Sequence, residues 1–137
     1  MTLSEVTAID GDVGNFTVSV RKSPRYIDME KCIACGQCAA KCPKKVLDTY
    51  NQGLIKRKAI YVPYSQAVPL KYAIDPQSCI YLTKGKCRAC EKICPSGAIN
   101  FEDQKKETAY AVGSIILAPG FQPYDPAEDD IYAYNTS

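Results

Sequence analysis

The chain has 137 residues, with 17 Lys and Arg against 15 Asp and Glu, no histidine and a formal net charge of +2. This length is typical of one domain, and the near balance of charge provides no basic surface for nucleic acid or an anionic membrane. The lack of histidine excludes haem attachment through C-x-x-C-H and Rieske centres. The sequence has no apolar run long enough to span a membrane and no secretory pattern, so we expect a cytoplasmic protein.

The first 24 residues predict a β-hairpin. Phe16, Val18 and Val20 alternate with polar residues, which is the pattern of a half-buried strand. A glycine-rich turn at 10–15 precedes this run, and Pro24 ends it. We therefore expect an N-terminal hairpin over 1–24 within a single domain that occupies 1–137.

Four cysteines come next within eleven positions: Cys32, Cys35, Cys38 and Cys42, followed by Pro43. Thiolates at positions i, i+3 and i+6 of a looped backbone can reach three corners of a 4Fe-4S cubane. In two-cluster ferredoxins, a fourth cysteine that precedes proline, at the far end of a short helix, reaches the other cluster. The motif therefore predicts two clusters, not one.

An insertion follows at 43–78. Pro63, Pro69 and Pro76 divide it into short apolar runs. It is too apolar to be a disordered linker, so we expect short strands and turns packed against the rest of the domain.

A second cysteine motif nearly repeats the first. Cys87, Cys90, Cys94 and Pro95 keep the same spacing, but seven residues, "IYLTKGK", separate Cys79 from Cys87. A longer surface connection costs little entropy, so coordination by all four remains feasible, with Cys79 the least certain ligand.

Pseudo-twofold symmetry between the motifs predicts how the ligands are shared. Each cluster takes three cysteines from one motif and the proline-flanked cysteine of the other. The predicted sets are Cys32, Cys35, Cys38 and Cys94 for the first cluster, and Cys79, Cys87, Cys90 and Cys42 for the second.

The rest of the chain predicts a second hairpin and a buried strand. Ile99 and Phe101 would form one strand of the hairpin, and Tyr110 and Val112 the other, with a charged turn between them. The apolar run 114–118 is typical of a fully buried strand. The remaining residues have no periodicity, and we expect only a loop.

Other functions are compatible with parts of this pattern. Zinc, or a single cluster, could serve only to stabilise a structural or interaction module, although the spacing with a third cysteine and proline is not that of a zinc ribbon. An enzyme that acts on a disulfide would need an iron without a cysteine ligand or a cysteine that binds no iron. Eight cysteines for the eight irons of two clusters leave neither. The basic residues around the motifs are either a docking patch for an acidic partner or an ordinary solvated face: Lys31, Lys41, Lys44, Lys45, Lys84, Lys86, Lys92 and Arg88.

These segments together resemble a known family. The sequence from about residue 4 to 126 is similar to the ferredoxin-like region of the A subunit of heterodisulfide reductase, which is a FAD and iron-sulfur protein. The segments that carry the resemblance are "GNFTVSVRKSPRYID", "CIACGQCAAKCP", "GLIKRKAIYVPYSQAVPLKYAIDPQSC", "CRACEKICPSGAINF" and "VGSIILAPGF".

The resemblance implies an α+β fold, that of a two-cluster bacterial ferredoxin with an added N-terminal hairpin and the 43–78 insertion. It implies that this chain is an excised fragment that transfers single electrons, and that 113–137 re-enters a flavin-binding domain. FAD would bind only in the parent polypeptide. The implied partners are the flavin domain of that parent and other iron-sulfur subunits, with no nucleic acid and no membrane span.

Overall fold

A computed structural model describes residues 1–121 and 123–134. It is a mixed structure of short helices and strands, in which the strands form one three-stranded sheet and two small strand pairs. In chain order the elements are β1 (Ser4–Asp12), β2 (Asn15–Lys22), α1 (Gln37–Lys41), β3 (Lys45–Leu47), β4 (Lys56–Lys58), β5 (Ile60–Tyr61), β6 (Ala73–Ile74), α2 (Ile80–Lys84), α3 (Ala89–Ile93) and β7 (Lys106–Val112). Two 3-10 turns follow at Pro126–Glu128 and Asp130–Tyr132.

β1 and β2 form an antiparallel hairpin in which Asp12 pairs with Asn15. The turn between them is therefore only two residues long, shorter than the 10–15 segment expected from the glycines. Gly14 lies in the turn with φ 90°, a conformation that glycine adopts without strain.

The predicted hairpin between Ile99 and Tyr110 is wrong. β7 pairs with β2 instead, so that Val18 lies opposite Tyr110, and Ile99 forms an isolated bridge with Ile27. Phe101 is buried in the core of the cysteine-bearing region, where it packs against Tyr81. β7 pairs along the edge of β2, a strand in which apolar and polar residues alternate. The segment around Ile99 packs against the core of the cysteine-bearing region instead.

The third strand makes the cysteine-bearing region an insertion within the sheet. Lys22 at the end of β2 pairs with Lys106 at the start of β7. Residues 23–105 therefore leave the sheet and return to it at neighbouring positions. We call this segment the cysteine domain.

The predicted buried strand at 114–118 is also wrong. Ile116 is 91% and Leu117 is 83% exposed, and neither belongs to a strand. Hydrophobic burial requires a second layer, and no described residue covers this run. Positions 122 and 135–137 of the predicted tail 113–137 lie outside the described residues.

The core of the cysteine domain is small and apolar. β3 pairs with β4, and β5 pairs with β6, so the 43–78 insertion consists of short strands and turns. Its inner strands supply the buried side chains of Ile60 and Ile74. These pack with Ile27, Ala98 and Phe101 and with the partly buried cysteines, so the insertion forms one wall of the cysteine sites.

Candidate metal centre

The first motif is shaped by helix α1. Gly36 precedes this helix in a left-handed conformation with φ 80°, and a Cβ at this position would lie 3.1 Å from the Tyr72 hydroxyl. Cys38 lies within the helix and is only 7% exposed. Cys42 ends the helix, as the sequence predicted, and lines a cavity together with three cysteines of the second motif.

The first predicted ligand set lies close together. Burial raises the pKa of Cys38 to about 11, and the charges of Cys94, Cys35 and Cys32 raise it further. Helix α1 also packs against α3, after which Cys94 follows directly. The proline-flanked cysteine of the second motif therefore lies among the cysteines of the first.

Cys94 is held by hydrogen bonds to its sulfur. Burial would raise the pKa of its thiol, but the Ala98 N–H, which donates to Sγ at 3.3 Å, and the Ser96 hydroxyl at 3.6 Å outweigh it and lower the pKa. Such bonds stabilise a thiolate, which is the form that binds metal.

The second predicted set surrounds one open cavity with an empty volume of about 370 Å³. The four cysteines that line it are Cys42, Cys79, Cys87 and Cys90. Its walls are mainly apolar, with Ile60, Ile74 and Phe101 among them. Burial raises the pKa of Cys90 to about 12, and the charge of Cys79 adds to this effect. Without bound metal, the Cys90 thiol is therefore neutral at physiological pH.

The long interval between Cys79 and Cys87 is not a loose loop. Its first residues form helix α2, which begins directly after Cys79 and ends at Gly85, a left-handed glycine with φ 67°. The extra residues therefore form a compact turn of helix, and Cys79 stays at the cavity with Cys42.

The two motifs differ at the residue before the helix. Arg88 occupies the position equivalent to Gly36 and has φ 96°, after Cys87 with φ 97°. Its guanidinium makes two 2.6 Å hydrogen bonds to Glu91 and lies 5.0 Å from the Tyr81 ring centroid. These contacts stabilise the left-handed backbone conformation of Arg88, which glycine adopts more easily than other residues.

Two cations that the motif spacing does not reveal contact the cysteine segments, and a third contacts the backbone of one of them. The Lys71 ammonium donates to the Cys32 carbonyl, and the Lys58 ammonium donates to the Cys42 carbonyl. Arg25 is only 7% exposed and donates to the carbonyls of Lys71 and Tyr72. The only sequence signal for Lys58 and Lys71 is their location in the insertion.

The basic residues that do flank the motifs are largely exposed, as the residues of a solvated face would be.

All eight cysteines are free thiols. Within 1–121 and 123–134, no three acidic or cysteine side chains converge closely enough to hold a single metal ion. In the same residues, no helix is long and apolar enough to cross a membrane.

Comparison with known proteins gives this cysteine geometry a family. Residues 31–98, which include all eight cysteines, match the model of the 4Fe-4S dicluster domain. The chain is 44% identical over 134 residues to the iron-sulfur A subunit of the CoB–CoM heterodisulfide reductase of Methanocaldococcus jannaschii. Residues 31–98 are thus a 4Fe-4S dicluster domain, and the chain as a whole is similar to part of the A subunits of heterodisulfide reductases.

Other relatives agree. The chain is 40% identical to the A subunit of the H2:CoB–CoM heterodisulfide,ferredoxin reductase of Methanothermobacter marburgensis, and 39% identical to that of the ferredoxin:CoB–CoM heterodisulfide reductase of Methanosarcina acetivorans. Each match covers 98% of this chain but only 20% and 17%, respectively, of the relative. The chain thus spans about a fifth of the length of these relatives, and it is an electron-transfer domain of the 4Fe-4S dicluster type.

Proposed function

We propose that the chain holds two 4Fe-4S clusters and passes single electrons between them. The first cluster is held by Cys32, Cys35, Cys38 and Cys94, and the second by Cys79, Cys87, Cys90 and Cys42. The observation that supports this proposal is the location of the two cysteines that precede proline. Cys42 lines the cavity of the second motif, and Cys94 lies among the cysteines of the first.

The donor set fits iron-sulfur clusters. Thiolates are the usual protein ligands of such clusters. The cavity around Cys42, Cys79, Cys87 and Cys90 is walled mainly by apolar side chains, which suits a compact inorganic group that must be shielded from water. The long interval before Cys87 does not weaken the fit, because helix α2 keeps Cys79 at the cavity.

When bound, each 4Fe-4S cluster supplies a one-electron couple between its 2+ and 1+ states. The protein holds the thiolates in place and controls the charge and solvent around them. Ala98 donates its N–H to the Cys94 sulfur, and such bonds tune a cluster's potential. Ile60 and Phe101 limit water at the second cavity. This arrangement needs no large motion for electron transfer.

The parent protein is proposed from its relatives. We propose that this chain is the electron-transferring part of a flavoprotein similar to the A subunit of heterodisulfide reductase, in which FAD binds outside these residues. Its partners would be the flavin domain of the parent chain, which 113–137 would enter, and other iron-sulfur subunits. A cytoplasmic location remains a prediction.

Alanine substitution of one cysteine at a time tests the shared ligation. Cys94→Ala should degrade the first cluster and leave the second, and Cys42→Ala should do the reverse. Cys35→Ala and Cys87→Ala are matched controls, because each removes an exposed cysteine that stays with its own motif. The readouts are iron content and the electron paramagnetic resonance (EPR) spectrum of the cluster that remains.

The proposal predicts that the spectrum of Cys94→Ala matches that of Cys35→Ala, and that Cys42→Ala matches Cys87→Ala. If Cys94→Ala instead matches Cys87→Ala, each motif binds its own cluster and the exchange is wrong. Zinc without labile sulfide in the unmodified chain would support a structural role instead.

A further inference from the structure

Arg25 is a buried cation that forms no ion pair with any carboxylate of residues 1–121 and 123–134. Its Nη1 donates to the carbonyls of Lys71 and Tyr72, and its Nη2 donates to the Thr2 hydroxyl. Its Nε is buried with no hydrogen-bond partner. Asp103 accepts from the main-chain N–H of Arg25 and forms no ion pair with the guanidinium within the described residues.

An unbalanced buried charge is costly unless an opposite charge lies near it. Burial lowers the pKa of Arg25, and the acidic groups that counter this effect are Tyr61 and Cys32. A phenol is neutral at physiological pH, whereas a metal-bound cysteine is a thiolate. Cys32 is therefore the nearby group that carries negative charge once the first ligand set is occupied.

The segment between Arg25 and the first motif strengthens this link. Residues 71–72 receive the hydrogen bonds of Arg25 on their carbonyls. From the same segment, the Lys71 ammonium donates to the carbonyl of Cys32. Lys71 also has no ion-pair partner in the part of the chain that the structure describes. The Lys71 ammonium therefore contacts the segment that carries Cys32, and Arg25 contacts the backbone of Lys71 itself.

The second motif is balanced differently. Lys58 donates to the Cys42 carbonyl, but the two arginines near this cavity are neutralised. Arg57 pairs with Asp75 at 3.2 Å, and Arg88 pairs with Glu91 at 2.6 Å. Lys44 also lines this cavity and forms no ion pair within the described residues, so each cysteine set has unpaired cations of its own.

We propose that Arg25, supported by Lys71, is the internal counter-charge of the first ligand set and raises the reduction potential of the cluster held there. This inference rests on the proposed function. Four thiolates and a 2+ core carry a net charge of about −2, which becomes about −3 on reduction. Arg25 and Lys71 stabilise the added negative charge, so this cluster is easier to reduce than it would be without them.

The expected size follows from Coulomb's law. At an effective dielectric constant of about 20, a unit charge roughly 12 Å away changes an equilibrium about tenfold. For a one-electron couple, a tenfold change corresponds to about 59 mV. Lys71 is more exposed than Arg25, so solvent screens its charge and we expect a change of about threefold.

The test is a reductive titration of the cluster-loaded 137-residue chain, followed by EPR and visible absorbance. Arg25→Met should lower one of the two potentials, by an amount that corresponds to about a tenfold change in equilibrium constant, and Arg25→Lys should restore most of it. Lys71→Met should lower the same potential, whereas Lys58→Met should lower the other. Arg21→Met is the matched control, because it removes the same charge from an arginine that Glu107 already pairs.

Iron and labile sulfide are measured first in each preparation. Fewer than two clusters in the unmodified chain would refute the proposed function itself. With two clusters present, potentials that do not change in Arg25→Met, or that change as they do in Arg21→Met, would refute only the role of Arg25. If Arg25→Met does not retain its clusters, the Lys71→Met variant provides the test. The inference is overturned if Lys71→Met changes neither potential, or if it changes the same potential that Lys58→Met changes.

Discussion

Replacing Gly36 with alanine should destabilise the folded, cluster-loaded protein by about 2 kcal/mol. About half of this comes from the backbone, because φ is 80° and a residue with a Cβ costs about 1 kcal/mol in the left-handed region. The other half comes from the new Cβ, which would lie 3.1 Å from the Tyr72 hydroxyl and displace it. The measurement is the guanidinium midpoint of the circular dichroism signal under anaerobic conditions.

Two variants separate these contributions. Gly85→Ala introduces the same kind of strain at φ 67° but has no atom within 4 Å of the new Cβ, so it should cost only about 1 kcal/mol. In a Tyr72→Phe background, which lacks the hydroxyl, the cost of Gly36→Ala should fall to that of Gly85→Ala. If Gly36→Ala costs no more than Gly85→Ala, or if Tyr72→Phe leaves the difference unchanged, then Tyr72 does not pack over the first motif.

The core and an ion pair give two further predictions. Ile60 is 2% exposed at the wall of the second cavity, so Ile60→Ala should lower the free energy of unfolding by about 2–5 kcal/mol and speed cluster loss, whereas Ile60→Val should cost about 1 kcal/mol. Both are measured by denaturant unfolding and by the decay of cluster absorbance. Burial opposes ionisation of Asp75, but hydrogen bonds from Ser78 and Arg57 outweigh it and hold its pKa below the ordinary value. Ionised Asp75 therefore stabilises the fold above about pH 4, and this contribution disappears as the pH falls through the folded pKa. Asp75→Asn should lose stability at neutral pH and show a weaker acid dependence in the same assays.

The cofactor class could be predicted from sequence because its signal is local. The spacing of Cys32, Cys35 and Cys38, with Pro43 after Cys42, specifies both the cofactor class and a helix that carries the fourth cysteine away. The irregular interval after Cys79 did not disturb this prediction, since the extra residues form a short helix. The strands of the first hairpin were also predictable, because Val18 and its neighbours alternate along one chain segment.

The third strand of the sheet could not be predicted in the same way. β7 follows β2 only after the whole cysteine domain, and periodicity says nothing about which distant strand an alternating segment will join. Proximity in sequence favoured Ile99 as the partner of Tyr110. The prediction for the apolar run 114–118 failed for a related reason. An apolar run indicates that a strand would have to be buried, but it does not show whether the described chain contains a layer that buries it.

The electrostatic part of the site also depends on tertiary structure. Lys58 and Lys71 are far in sequence from the cysteines whose carbonyls they contact, and Arg25 precedes the first motif without belonging to it. Their location next to the ligand segments comes from the folding of the insertion. Motif spacing therefore predicts a ligand set, whereas the cations that we propose to tune the potential can be found only from coordinates.

The most direct test of two-cluster electron transfer is the content of iron and acid-labile sulfide per chain in anaerobically purified or reconstituted protein, together with EPR of the dithionite-reduced sample. We predict about eight of each per chain and a spectrum in which two reduced clusters interact. A content of about four of each would mean that only one of the two cysteine sets binds a cluster. Zinc without labile sulfide would contradict electron transfer by this chain altogether.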